Sequence, residues 1–206
     1  MGGMTVAGNA MLLHFPAGRG IHGIADFLPA DGGGGDDKFL LPAGFFDKIK
    51  FVLTDGAAAL EGEGLTDVAI CGMGGELIAA IIDAAPYLKD EKIRLILQPM
   101  SRQGQLRGYL AGNGFSIIKE VYSYSQGKYY VTICAEYTGV CYEPELYERE
   151  LGRAEFLDTG CPECRGYLDA RLKVYKKIAK GKEMGGEAEC DEALLYQYIN
   201  SLRKDI

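Results

Sequence analysis

Thr66 to Tyr87 reads TDVAICGMGGELIAAIIDAAPY, and the fold turns on this stretch. Asp67 to Cys71 is a short apolar run of β-compatible residues. Gly72, Gly74 and Gly75, with Met73 among them, end it abruptly. The pattern predicts a buried strand that stops at a glycine turn. Beyond the turn Leu77, Ile78, Ile81, Ile82 and Ala85 recur at helical spacing, Glu76 stands in the first turn where a carboxylate suits the helix dipole, and Pro86 marks the end. Strand, turn and helix make half of a βαβ unit. In open α/β sheets such turns lie at the carboxyl ends of the strands, where ligands bind against bare backbone and a helix N-terminus. Gly72 to Gly75 is therefore the first candidate site. The alternative is a tight corner with no ligand, since the full GxGxxG dinucleotide pattern is absent.

On either side the pattern repeats. Asp47 to Leu53 alternates around Ile49, Phe51 and Leu53 and runs into Asp55 and Gly56. This reads as a strand with a carboxylate just past its end, placed either to grip a ligand hydroxyl or amine or to cap the helix that follows. Ile93 to Leu97 is a second continuous apolar strand, of the kind buried on both faces in a parallel sheet, and it enters Gln98, Pro99 and Met100. Gln98 thus belongs at the same sheet edge as Gly72. Its amide suits the edge of a base; alternatively it caps the next helix. That helix is expected from Ser101, with Leu106, Tyr109 and Leu110 as its stripe and Asn113-Gly114 as its end. Phe115 to Tyr124 and Lys128 to Tyr137 then read as strands joined by a three-residue loop, Ser125 to Gly127, which predicts a hairpin. A mostly parallel sheet closed by an antiparallel hairpin is the arrangement of class I methyltransferases, and it separates them from Rossmann oxidoreductases.

Composition sets the bounds. The chain has 206 residues, 48% hydrophobic and 25% charged, which is ordinary for a globular protein. No apolar run approaches the roughly 20 residues of a membrane span. Ala10 to Phe15 is apolar but nothing basic precedes it, the first charge being Arg19, so a cytoplasmic protein is expected. Six cysteines without a secretory signal suggest reduced thiols. Cys161-Pro-Glu-Cys164 is a single CxxC, short of the four ligands of a structural zinc, and no metal is expected.

Three regions emerge: a glycine-rich leader over residues 1–43, an α/β domain over 44–139, and a helical region over 140–206. Glycine is frequent in the leader, which includes Gly32 to Gly35 in succession, and no sustained period is visible there. In the helical region Tyr167, Leu168, Leu172, Tyr175 and Ile178 repeat at three or four residues, and Ala193 to Ile199 forms a second stripe, predicting a helical hairpin. The net charge of −7 argues against a globally basic nucleic-acid binder. Arg165 to Lys182 nevertheless carries seven cations against one acid, Asp169. It is either a solvated helix face or a nucleic-acid contact.

Taken together, GFFDKIKFVLTDG, TDVAICGMGGELIAAII, IRLILQPMSRQGQLRGYLAGNGF and GKYYVTICAEY resemble successive segments of the bacterial tRNA (adenine(22)-N1)-methyltransferase family, the TrmK-like class I enzymes. The resemblance covers roughly Gly44 to Gly139. It implies an S-adenosylmethionine-dependent enzyme that methylates N1 of an adenine in tRNA. It further implies that Asp55 and Gly56 border the adenine end of the cofactor, that Gly72, Met73, Gly74 and Gly75 line the cleft between cofactor and base, and that Gln98 and Pro99 flank the target as the catalytic pair. Arg171, Lys173, Lys176, Lys177 and Lys180 would hold the tRNA backbone. The family also begins with a strand leading into an acidic glycine loop of the form DIGSDH, and then a second strand ending in an acid. Neither is recognisable before Gly44, so cofactor binding that is weak or absent is expected. The alternative is a non-catalytic RNA-binding or interaction module that keeps the fold.

Overall fold

The computed structural model describes residues 56–62, 64–187 and 189–202. The leader, the strand expected over Asp47 to Leu53, and Asp55 lie outside the described residues. Among those described, four strands form one sheet: β1 (Asp67–Gly74), β2 (Arg94–Ser101), β3 (Phe115–Ser125) and β4 (Lys128–Tyr137), in the order β1-β2-β4-β3. The β1 and β2 strands are parallel, and β4 is antiparallel to both its neighbours. The later strand of the hairpin is therefore inserted beside β2, and the earlier one lies at the edge.

Between the parallel strands runs α1 (Gly75–Asp83) and after them α2 (Gln103–Gly112). The apolar stripe of α1 buries Ile78, Ile81 and Ile82, while Leu77 points outward and is exposed. In α2 Leu106 and Leu110 are buried and the half-buried Tyr109 donates its hydroxyl to Asp83 Oδ1 at 2.7 Å, tying the ends of the two helices together. At the amino ends of the parallel strands Arg94 Nε donates to Asp67 Oδ1 at 2.6 Å, between residues that are partners in the ladder. A charge-assisted bond there fixes the register that the apolar faces also demand.

Three boundaries differ from the sequence expectation. Pairing of β1 does not stop at Cys71 but continues through the glycines to Gly74, because a bulge absorbs Gly72 and lets the ladder resume at Met73. The α2 helix begins at Gln103 rather than Ser101, since Ser101 is still paired and Arg102 takes a left-handed conformation (φ 58°) to turn the chain. The hairpin loop has two residues, not three: Ser125 pairs with Lys128, and Gln126 and Gly127 both have positive φ, the twist that matches right-handed strands.

The helical region holds α3 (Leu146–Leu151), α4 (Pro162–Met184) and α5 (Asp191–Leu202). The α4 and α5 helices pack as the expected hairpin, burying Tyr167, Leu168 and Tyr175 with Leu195 and Ile199, whereas Ile178 is exposed. No separate core divides this region from the sheet. One apolar cluster runs from Ala57 through β3 and β4 to Ile199, with α4 packed on β3 and β4 and α3 on α2.

A buried ion pair sits at that junction. Arg107 of α2 and Glu120 of β3 are 1% and 5% exposed, and Arg107 Nε meets Glu120 Oε1 at 2.7 Å. Arg107 Nη1 donates to the Arg149 carbonyl, and the Tyr122 hydroxyl lies 3.3 Å from both Glu120 Oε2 and the Leu151 carbonyl. Burial pulls the guanidinium down, but Glu120 beside it more than offsets this and holds it charged. Sheet, α2 and the α3 backbone thus share one electrostatic knot.

All six cysteines are unbridged, and among the described residues no group of three or more metal-type side chains comes together. Nor, among them, is any helix long and apolar enough to cross a membrane.

Arg107→Ala is expected to cost about 3–5 kcal/mol in urea unfolding, because it strands a buried carboxylate. The double change Arg107→Met with Glu120→Leu should recover most of that loss. Burial also pushes the Cys164 thiol up to about 12, so it stays protonated near neutrality. Iodoacetamide at pH 8 should therefore label the exposed Cys141 and spare Cys164 in the native protein, as read by peptide mass mapping.

Candidate active site

The candidate site lies at the carboxyl ends of β1 and β2 and is built by one proline and one bulge. Pro99 has no N–H to give a neighbour, and the pairing of β2 with β4 stops two residues earlier, at Leu97 opposite Ile133. The β1 strand, on the other side, stays with β2 to Ser101. The sheet therefore parts at this end, between the β1-β2 pair and β4.

Gly72 is the bulged residue. Cys71 is paired with Gln98 and Met73 with Pro99, so Gly72 has no ladder partner and its φ is 79°. With no ladder partner to take it, its N–H donates instead to Gln98 Oε1 at 2.9 Å. This bond also settles the orientation of the amide, for an N–H must face oxygen. Gln98 Nε2 is left towards Met100 Sδ at 3.5 Å, a weak acceptor, and so remains available as a donor. Gln103 Nε2 donates to the Pro99 carbonyl at 3.3 Å and ties the strand end to the first turn of α2.

Gly75 has a different reason to be glycine. A Cβ there would press on the Arg102 carbonyl and sit 3.0 Å from Leu106 Cβ, so its absence is what lets the start of α1 approach the start of α2. A Cβ on Gly74 would stand 3.3 Å from Ser101 Oγ.

The residues singled out from the sequence separate accordingly. Gly72 is exposed, and Gln98 and Gly74 are half-buried beside it. Met73 and Pro99 are buried, so neither side chain lines the opening, and they act through backbone shape. Gly56 lies elsewhere: its nearest neighbour is Ile81, about 9 Å along α1 from Gly75 at 1.5 Å per residue, and the next carbonyl, Ala57, accepts from the Tyr87 hydroxyl. The structure thus joins Gly72 to Gln98 but does not bring Gly56 to them. Of the basic set, Lys173, Lys176, Lys177 and Lys180 are exposed, while Arg171 is half-buried, bonded to the Tyr175 hydroxyl and paired with Glu150. Its partners hold it against α3 rather than towards solvent.

Arg102 was missed by sequence reasoning. It is an exposed cation directly after the Gln98 strand end, in a backbone conformation that non-glycine residues seldom hold. Its place just after QPMS was the available signal. The described residues also form an open polar hollow between Tyr87, Asp90 and Tyr137, but it lies at the amino ends of the parallel strands, away from Gln98.

Comparison with known proteins follows the same geometry. Residues 40–133 match the methyltransferase domain family. Streptococcus pneumoniae Sp1610, assigned as a tRNA (m1A22) methyltransferase and solved with S-adenosyl-L-methionine, is 27% identical, with a TM-score of 0.55 over 72% of this chain and 66% of that one. The described residues have part of a class I methyltransferase (Rossmann-like) fold. TrmK of M. capricolum, solved with S-adenosyl-homocysteine, superposes with a TM-score of 0.53 at 21% identity, over 74% of this chain and 66% of TrmK. The Bacillus subtilis tRNA (adenine(22)-N(1))-methyltransferase is 39% identical over 69 residues, which is 34% of this chain. That match spans 29% of the Bacillus protein, less than a third of its length. The methyltransferase fold accounts for the strand order found here, with the hairpin's second strand inserted antiparallel next to the last parallel one.

Gly75→Ala should destabilise the chain by about 1–3 kcal/mol, the cost of forcing a methyl group into a filled contact, measured as a lowered urea midpoint.

Proposed function

We propose that this domain carries out S-adenosylmethionine-dependent methylation of N1 of an adenine in tRNA. The observation that carries the proposal is the Gly72–Gln98 corner: bare backbone and a single oriented amide at the end of a methyltransferase sheet. When bound, S-adenosylmethionine supplies an already electrophilic methyl group, so the protein's task is alignment. Gly72 and Gly74 leave the rim open to close approach by a ligand. Gln98, its oxygen engaged by Gly72, offers N–H donors and so fits an acceptor on the target nucleotide. N1 of the adenine must leave its pairing and stacking to reach this rim. Arg102 and the exposed lysines of α4 supply positive charge for the phosphates on either side.

The described residues suit the target side of the cleft. The carboxylate that the resemblance assigns to the adenine end of the cofactor, Asp55, lies outside them. No observation favours the non-catalytic module over the methyltransferase.

Incubation with labelled S-adenosylmethionine at millimolar concentration and an unmodified tRNA transcript should place label on N1 of an adenine, located by reverse-transcription stops. Gln98→Ala should lower kcat at least tenfold with little change in stability. Label on a different atom, or none despite measured cofactor binding, would overturn the proposal.

A further inference from the structure

The antiparallel course of β3 and β4 brings their joining turn to the carboxyl end of β1 and β2, the end that holds Gln98. Two tyrosines stand there. Tyr124 and Tyr129 are cross-strand partners with ring centroids 4.7 Å apart and planes at 45°. Tyr129 is wedged against α4, where its ring occupies the space that a Cβ on Gly166 would need. Tyr124 lies outside it and is 56% exposed. Aromatic rings on a hairpin tip normally bury themselves or meet a partner, and here one ring is anchored and holds the other in the open.

The helix beneath continues the surface. Gly166, Lys173, Lys177 and Lys180 are spaced by seven, four and three residues and so share one face of α4, opposite the buried Leu168 and Tyr175. The three lysines are exposed. Lys173 follows Gly166 by about 10 Å along the axis and Lys180 by about 21 Å. In a chain of net charge −7, a lysine stripe running from an exposed aromatic pair is a local exception.

We propose that Tyr124, backed by Tyr129, is a stacking platform for an unpaired nucleobase of the RNA substrate, with the Lys173–Lys180 stripe holding the adjoining phosphates. The inference rests on the reading of the chain as an RNA methyltransferase and adds a binding subsite to it. Charge complementarity favours a polyanion, and the ring pair favours one that carries flat π-faces, which single-stranded RNA supplies and a sulfated polysaccharide does not. The site is at the same end of the sheet as Gln98, where a strand opened to release one adenine exposes neighbouring bases as well.

The chain contains no tryptophan, so Tyr124→Trp creates a single reporter. An unmodified tRNA transcript should quench its emission, whereas heparin, a polyanion without bases, should bind without quenching. Tyr124→Ala should weaken transcript binding about tenfold, and Tyr124→Phe should leave it near the wild-type value. Transcript binding with unchanged emission, equal quenching by heparin, undiminished binding by Tyr124→Ala, or no transcript binding at all would each overturn the platform. Quenching without methyl transfer would instead retain the platform and remove the proposed reaction.

Discussion

Everything at the working end of this molecule depends on the antiparallel seating of β4 against β2, fixed by pairs such as Leu97 with Ile133 and Arg94 with Glu136. Had the last strand been parallel, its connection to β3 would have crossed over the sheet, and no turn would have reached the carboxyl ends. Reversal sends the turn towards the sheet end that holds Gln98. The same ladder stops just short of Pro99, so one interface both closes the sheet below and lets it part above. The buried faces of Leu95, Leu97, Ile133 and Ala135, all fully enclosed, supply the apolar drive for that seating.

The Arg107–Glu120 pair performs a different task. A charge pair in an apolar core seldom adds stability over a well-packed hydrophobic pair. It does add geometry. The guanidinium reaches the Arg149 carbonyl and the carboxylate stands beside Tyr122, whose ring packs on Tyr167 of α4 at 5.0 Å. The direction of α4, and with it the lysine face, is thereby referred to β3. A region that composition marks off as a separate helical unit is locked to the sheet through these contacts.

Much of the fold was legible because its signals are local. Continuous apolar runs at Asp67 to Cys71 and Ile93 to Leu97, helical stripes, and a glycine between two alternating segments identify the elements without knowledge of their neighbours. What stayed hidden is what depends on pairs distant in sequence. Gly72 gives no sign that its N–H will be claimed by Gln98, twenty-six residues later. Met73 and Gly74, which look like part of a turn, remain in the ladder because Pro99 and Ser101 are there to receive them. Arg171 counts as one more cation in a basic run until Glu150 and Tyr175 are seen to hold it. Met73 lies inside the candidate motif, yet the alternation of the strand, restored by the bulge, turns its side chain into the core. Arg107 carries no local sign of its burial, which only the approach of Glu120 makes tolerable.

Pro99 has one more effect. Strand ends that splay apart leave unpaired backbone groups, and such edges invite stray extended segments to add themselves and zip the opening shut. An imino acid at that point removes a donor that an invading segment would need. The gap is thus kept open by a sheet that cannot complete itself there, at no cost in moving parts.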